Sequence, residues 1–252
     1  AHDYARKLYL IENSIYGVDI QPIATQISKL RFFISLVVDQ KIAPKAHNLG
    51  VRPLPNLETR IVAADTLIPI EKSESDLFSG EIDMLRAELA SIRHEHFNAR
   101  TPTDKRTWRD ADAAKRQEIA SLLEREHAIP RDSARKLAAW DPYDQNEYAR
   151  FFDSEWMFGL PVGRVRVQAA RRGAIPIISK TNNKPESNSN VKKEINSGFD
   201  IVIGNPPYQG FRDMPQALKD ALRPLYVTAN GKYDLYVPFI EKGLSLLSPD
   251  SG

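Results

Sequence analysis

Two rhythms of apolar residues run through the chain, one short and one helical. The short runs are IYGVDI at 15–20, RIVAADTL at 60–67 and FDIVI at 199–203, each rich in small or branched side chains and bounded by turn residues. Runs of that length and branching are expected of buried parallel strands. The helical rhythm begins at Pro22, a tolerated first-turn residue, and Ile23, Ile27, Leu30, Ile34, Leu36, Val37 and Val38 keep mostly helical spacing to about Asp39. A strand, an acidic residue at its carboxyl end and a helix make half of a doubly wound unit. From 81 to 140 the texture changes. Ile82, Leu85, Leu89 and Ile92 share one helical face, DKRTWRDADAAKRQEIASLLEREH forms a second helix ending before Pro130, and RDSARKLAAW forms a short third. Opposite charges are interspersed along these helices, which predicts a solvated helical hairpin inserted into the sheet-forming chain.

Residues 140–161 are dense in aromatics and acids, and they read as a loop tucked against the core by Phe151, Phe152, Trp156 and Phe158, with stacking on bases as the alternative. The arginine-rich VGRVRVQAARRGA follows, then ISKTNNKPESNSNVKKEINSG, whose Asn, Ser and Lys content predicts a flexible loop. MPQALKDALRPLYV predicts a helix. A last one carries Tyr236, Phe239, Ile240, Leu244 and Leu247 at helical spacing before Pro249. The opening AHDYARKLYLIENS, without an initial Met, reads as the tail of a helix. Both ends read as cut inside a domain of a longer protein.

The stretch with the most specific chemistry is 204–208, where the third apolar run ends in Gly204, Asn205, Pro206, Pro207 and Tyr208. Two prolines fix the backbone and lack N–H groups, so the Pro206 carbonyl is left free to accept. Asn205 adds a side-chain acceptor and Tyr208 a flat apolar ring. Two acceptors beside an aromatic plate suit a planar group with an exocyclic NH2, such as a base rotated out of a duplex. A strand-ending turn is the competing reading, because Asn-Pro and Pro-Pro are ordinary loop dipeptides. Upstream, Asp19 and Asp65 each end a predicted strand. Acidic strand ends commonly hold ribose hydroxyls or accept from an adenine amine, while Asp19 also suits a helix cap. His94, Glu95 and His96 invite a metal reading, but histidines two apart face different sides of a helix, and no metal is expected.

Composition narrows the chemistry. The 252 residues are 42% hydrophobic, enough for a sizeable core, and carry a net charge of +2, so any nucleic-acid contact rests on a local patch. No apolar run reaches membrane-span length, which predicts a cytoplasmic protein without membrane partners. The absence of cysteine removes disulfides, cysteine-ligated zinc and thiolate nucleophiles. Direct displacement by an exocyclic amine remains.

With these features, the sequence resembles the N6-adenine DNA methyltransferases of the large restriction-modification type. The blocks that carry the resemblance are IYGVDIQPIATQISKLRFFISL, NLETRIVAADTL, FFDSEWMFG, FDIVIGNPPY and KYDLYVPFIEKGLSLL, in that order. The resemblance implies an α/β fold, a partial doubly wound, Rossmann-like methyltransferase sheet with an inserted helical hairpin. It implies S-adenosylmethionine as cofactor. Asp19, with Ile20, would hold its ribose side, Asp65 and Thr66 would meet its adenine, and Asn205 would border both cofactor and target. Asn205, Pro206, Pro207 and Tyr208 would form the catalytic site for a flipped adenine in double-stranded DNA.

The corresponding division is a cofactor-side half at 1–80, a helical insertion at 81–140, a connection at 141–198 and the NPPY half at 199–252. A Gly-rich cofactor loop, later strands and a target-recognition domain are expected outside these residues, so the 252-residue piece alone is expected to bind cofactor poorly and to be inactive. Two rivals stand beside this reading. Methylation of a protein glutamine or an RNA base amine uses a similar planar NH2, and a non-catalytic docking scaffold would use the helical insertion as its surface.

Overall fold

The computed structural model describes residues 2–41, 43–51, 55–72, 80–160, 165–167, 178–180 and 198–248. Among them the elements are α1 (His2–Asn13), β1 (Gly17–Asp19), α2 (Pro22–Val38), a 3-10 turn (His47–Gly50), β2 (Ile61–Ala63), α3 (Gly80–Asn98), α4 (Pro102–Arg125), α5 (Arg131–Ala139), α6 (Ser154–Phe158), β3 (Val165–Val167), β4 (Ile178–Lys180), α7 (Gln216–Leu222) and α8 (Tyr236–Leu246). The chain divides into two compact units, residues 1–65 with 69–159, and residues 66–68 with 160–252. The class is α/β, mostly helical, with a small two-stranded parallel sheet.

In the first unit β1 and β2 pair in parallel, with Gly17 opposite Ile61 and Asp19 opposite Ala63. Ala64 continues β2 into a parallel bridge with Ala149, closed by Ala149 N–H donating to the Ala63 carbonyl at 2.9 Å and Asp65 N–H to the Ala149 carbonyl at 2.8 Å. The carboxyl ends of both strands therefore lie along one edge. Tyr4, Ile11, Leu36, Leu57, Ile61 and Phe97 form a buried cluster that packs α1, α2 and α3 against β2. The helical stripe Ile23, Ile27, Leu30, Ile34 and Val38 faces outward instead, and α2 buries Thr25 and Leu36.

Helices α3, α4 and α5 occupy the predicted helical region. Thr101 starts α4 earlier than the periodicity indicates, its hydroxyl accepting from Asp104 N–H at 3.0 Å with Pro102 behind it. The region is not simply solvated, which corrects the expectation drawn from its charge pattern. Asp112 is fully buried and takes Arg93 Nε on one carboxylate oxygen at 2.9 Å and Arg116 Nε on the other at 2.6 Å. The two guanidiniums then cap carbonyls that end other helices. Arg93 donates to Trp156 and Met157 in α6, and Arg116 to Ala138 and Trp140 at the end of α5. Interspersed charge looks the same in sequence whether the charged face meets water or another helix. The aromatic block lies in the core as the sequence indicates, with Phe151, Phe152 and Trp156 buried.

His96 is enclosed beside this network, its ring 4.6 Å from that of Tyr143. Burial, reinforced by Arg109 and Lys105 and opposed by Glu58 and Asp112, pulls its pKa below the usual 6.5. The folded state thus binds a proton less readily than the unfolded one. His96 therefore contributes stability that is full above pH 6.5 and lost as pH falls from there through its lowered folded value. Urea unfolding of wild type and His96→Gln across this range should show the wild-type advantage shrinking as pH drops; an advantage independent of pH contradicts it.

The second unit has its own core, Leu67, Met214, Leu222, Tyr226, Ala229, Tyr233 and Leu235, with Ile68, Phe211, Leu218 and Phe239 packed against it. Here the structure departs from the sequence reading most clearly. Ile201, Val202 and Ile203 form no strand and are 76%, 37% and 92% exposed. Branched residues favour a pleated backbone only where a neighbour supplies the hydrogen bonds and covers a face; no described residue supplies those bonds here, although Val202 lies beside Gly243 of α8. Pairing is confined to Phe199, which bridges Leu247 through bonds to Leu246 and from Ser248. Gly198 permits that approach: its φ is 120°, and a Cβ there would stand 2.7 Å from Ser248 N. In the predicted flexible loop, Ile178–Lys180 instead pairs antiparallel with Val165–Val167, while 181–197 lies outside the described residues.

Candidate functional site

Asp19 stands exposed at the end of β1 because the strand must give way to α2 within two residues. Its Oδ1 accepts from Gln21 N–H at 2.8 Å, which shapes that turn; the helix N-cap position itself is Gln21, without a side-chain cap. Oδ2 has no hydrogen-bond partner among the described residues. Ile20 beside it is 49% exposed. Asp65 and Thr66 are half-buried at the matching end of β2, and β1–β2 pairing brings Asp19 and Asp65 to one sheet edge, since Asp19 lies opposite Ala63 and its carbonyl accepts from Ala64 N–H at 2.9 Å. The edge thus carries two carboxylates beside an exposed apolar side chain. Carboxylate acceptors beside an apolar face fit the hydroxyls of a ribose diol and the flat base of an adenosine-containing ligand.

The NPPY stretch belongs to the second unit. Asn205, Pro207 and Tyr208 are exposed and Pro206 is half-buried. Neither the Asn205 side chain nor the Pro206 carbonyl has a hydrogen-bond partner among the described residues. Both acceptors are unspent. The segment just after the motif is anchored: the Gln209 carbonyl accepts from Leu235 N–H at 2.8 Å and its side-chain amide donates to the Asp213 carbonyl at 2.9 Å. Phe211 then packs edge-on against Tyr233, with ring centroids 5.7 Å apart. Tyr208 keeps 89% of its surface exposed and meets the Tyr236 ring at 6.2 Å.

Sequence reasoning passes over two residues that tie segments of the second unit together. Tyr226 donates its hydroxyl to the Leu67 carbonyl at 2.7 Å, fastening the segment after Thr66 into the second core. Glu241 in α8 accepts from Val227 N–H, Thr228 N–H and the Thr228 hydroxyl, the last at 2.6 Å. An acidic residue in the middle of a mostly apolar helix is the available signal for Glu241.

Among the described residues no group of three His, Asp or Glu side chains could hold a metal ion. His94 is largely exposed while His96 is fully buried, so the two do not converge. No helix among the described residues is long and apolar enough to cross a membrane.

Among curated proteins the chain is similar to the type II methyltransferase M.BstVI of Geobacillus stearothermophilus, 46% identical over 50 residues, which are 20% of this chain and 9% of that protein. It is likewise 41% identical over 51 residues to the type II methyltransferase M.XhoI of Xanthomonas vasicola, again 20% of this chain and 9% of the relative. The matched stretch thus spans less than a tenth of each relative's length. No solved structure matches the chain significantly. The family described as Eco57I restriction-modification methylase matches residues 13–252, nearly the whole sequence, and the chain belongs to that family.

Proposed function

We propose that this chain is the catalytic part of a DNA methyltransferase that transfers a methyl group from S-adenosylmethionine to the N6 amine of adenine, within a restriction-modification enzyme. Membership of the methylase family supports methyl transfer to DNA. The observation that supports an amine target is the pair of unspent acceptors, Asn205 and the Pro206 carbonyl, next to the exposed Tyr208 ring. S-adenosylmethionine, when bound, supplies an electrophilic sulfonium methyl. Asp19 and Ile20 would hold its ribose side, Asp65 and Thr66 its adenine, and Asn205 would border it.

The remaining work falls to the chain itself. An adenine amine is a poor nucleophile because its lone pair is delocalised into the ring. Two acceptors on its N–H bonds, from the Asn205 carbonyl and the Pro206 carbonyl, favour a tetrahedral nitrogen whose lone pair is directed at the methyl donor. Pro206 and Pro207 restrict the backbone that carries those acceptors. Tyr208 would stack on the flipped base. No covalent enzyme intermediate is needed.

The same reading takes β1, α2 and β2 as part of a doubly wound, Rossmann-like sheet. It divides the chain into a cofactor-side half at 1–80, the helical insertion at 81–140, a connection at 141–198 and the NPPY half at 199–252. Double-stranded DNA would be the partner, in the cytoplasm. The test offers the full-length protein three acceptors with methyl-labelled S-adenosylmethionine: unmethylated phage DNA, total RNA, and a glutamine-bearing protein. Label in DNA alone is expected; label in protein or RNA instead overturns the reading.

A further inference from the structure

Among the described residues the exposed ring of Tyr208 meets one other ring, and that ring comes from the first residue of α8. The centroids of Tyr208 and Tyr236 are 6.2 Å apart with the planes tilted by 44°. A base held between two parallel rings needs roughly 7 Å, two contact distances of about 3.5 Å. The gap is too narrow and too tilted for that, so Tyr236 is not a second stacking wall. It lies against Tyr208 and leaves most of the ring, 89% exposed overall, open to a ligand. We infer that Tyr236 is a positioning residue that holds the Tyr208 ring in the orientation from which it stacks on the target base.

The backbone around Tyr236 is built to keep it there. The preceding residue, Leu235, donates its N–H to the carbonyl of Gln209, the residue after Tyr208. The two tyrosines are therefore carried by segments bonded to each other one residue away. Leu235 and Tyr233 are buried in the second core, Val237 N–H closes a turn on the Asp234 carbonyl at 3.0 Å, and Pro238 is buried one residue further on. Tyr236 is thus a fixed post beside a surface side chain. An exposed tyrosine without such a post divides its time among staggered rotamers. Base capture would then be weakened by the fraction of time the ring spends out of place.

This positioning role rests on the base-clamp reading of Asn205 to Tyr208. Its test uses the full-length protein, unmethylated phage DNA and labelled S-adenosylmethionine in methylation kinetics. Tyr236→Ala is expected to lower kcat/KM for DNA by about three- to tenfold, the cost of losing one favoured rotamer. KM for S-adenosylmethionine and the unfolding midpoint should stay unchanged, and Tyr236→Phe, which keeps the ring, should stay within about twofold of wild type. Tyr236→Leu, which keeps apolar bulk without a flat face, should behave like Tyr236→Ala and supplies a folded comparison. In a Tyr208→Ala background, Tyr236→Ala should cost nothing more. Losses that add in full to those of Tyr208→Ala, or wild-type activity in Tyr236→Ala, overturn the positioning role while leaving the clamp reading intact. A wild-type protein that methylates no DNA overturns both.

Discussion

Replacing Asn205 with Ala in the full-length protein is expected to lower the methylation rate by about 10²–10³-fold while leaving the unfolding midpoint unchanged. The rate should fall because one of two acceptors on the amine is lost at the moment charge develops on nitrogen. The fold should not notice, because the Asn205 side chain is exposed and bonded to no described residue. Asn205→Asp keeps an oxygen in place and should retain part of the activity. Single-turnover transfer of labelled methyl groups to DNA checks both variants. An Asn205→Ala enzyme with wild-type rate contradicts the role given to this residue.

The second large effect concerns stability and lies far from that chemistry. Asp112→Ala should destabilise the protein by about 3–5 kcal/mol, because it leaves the buried Arg93 guanidinium without its acidic partner and the buried Arg116 with only the half-exposed Asp141 at 3.7 Å. A domain of this kind has roughly 5–15 kcal/mol to lose, so the variant approaches global unfolding. The loss should be specific to burial. Arg135→Ala, which removes a partner from an i,i+3 pair whose side chains are 65% and 85% exposed, should stay within about 0.5 kcal/mol of wild type. Urea titrations of the three proteins decide it; an Asp112→Ala cost near that of Arg135→Ala would mean the network bears no weight.

These two effects mark where the sequence can and cannot be read. Signals that act within one turn of chain are legible. Pro22 and the spacing behind it locate α2, and the two prolines after Asn205 anticipate acceptors not consumed by local pairing. The acidic strand ends are legible too, and the β1–β2 register brings Asp19 and Asp65 to one edge. Features that depend on a neighbour distant in sequence are not. Ile201, Val202 and Ile203 have every local mark of a buried strand and yet lie unpaired and exposed, because pairing is a property of two segments. Arg93, Asp112 and Arg116 are hidden for the complementary reason. Their spacing suits solvent-facing helices, and only the meeting of α3, α4, α5 and α6 encloses them. Tyr236 reads in sequence as one more apolar position on α8, and its place beside Tyr208 comes from the Leu235–Gln209 backbone bond.

Which atom receives the methyl group is the central question for this protein. Duplex DNA incubated with the full-length protein and S-adenosylmethionine, then digested to nucleosides and resolved by mass spectrometry, answers it directly. N6-methyl-2′-deoxyadenosine is expected in wild-type digests, and at most a trace of it after Asn205→Ala. N4-methyl-2′-deoxycytidine in its place, or DNA left unmodified by an enzyme that methylates another acceptor, would contradict the assignment.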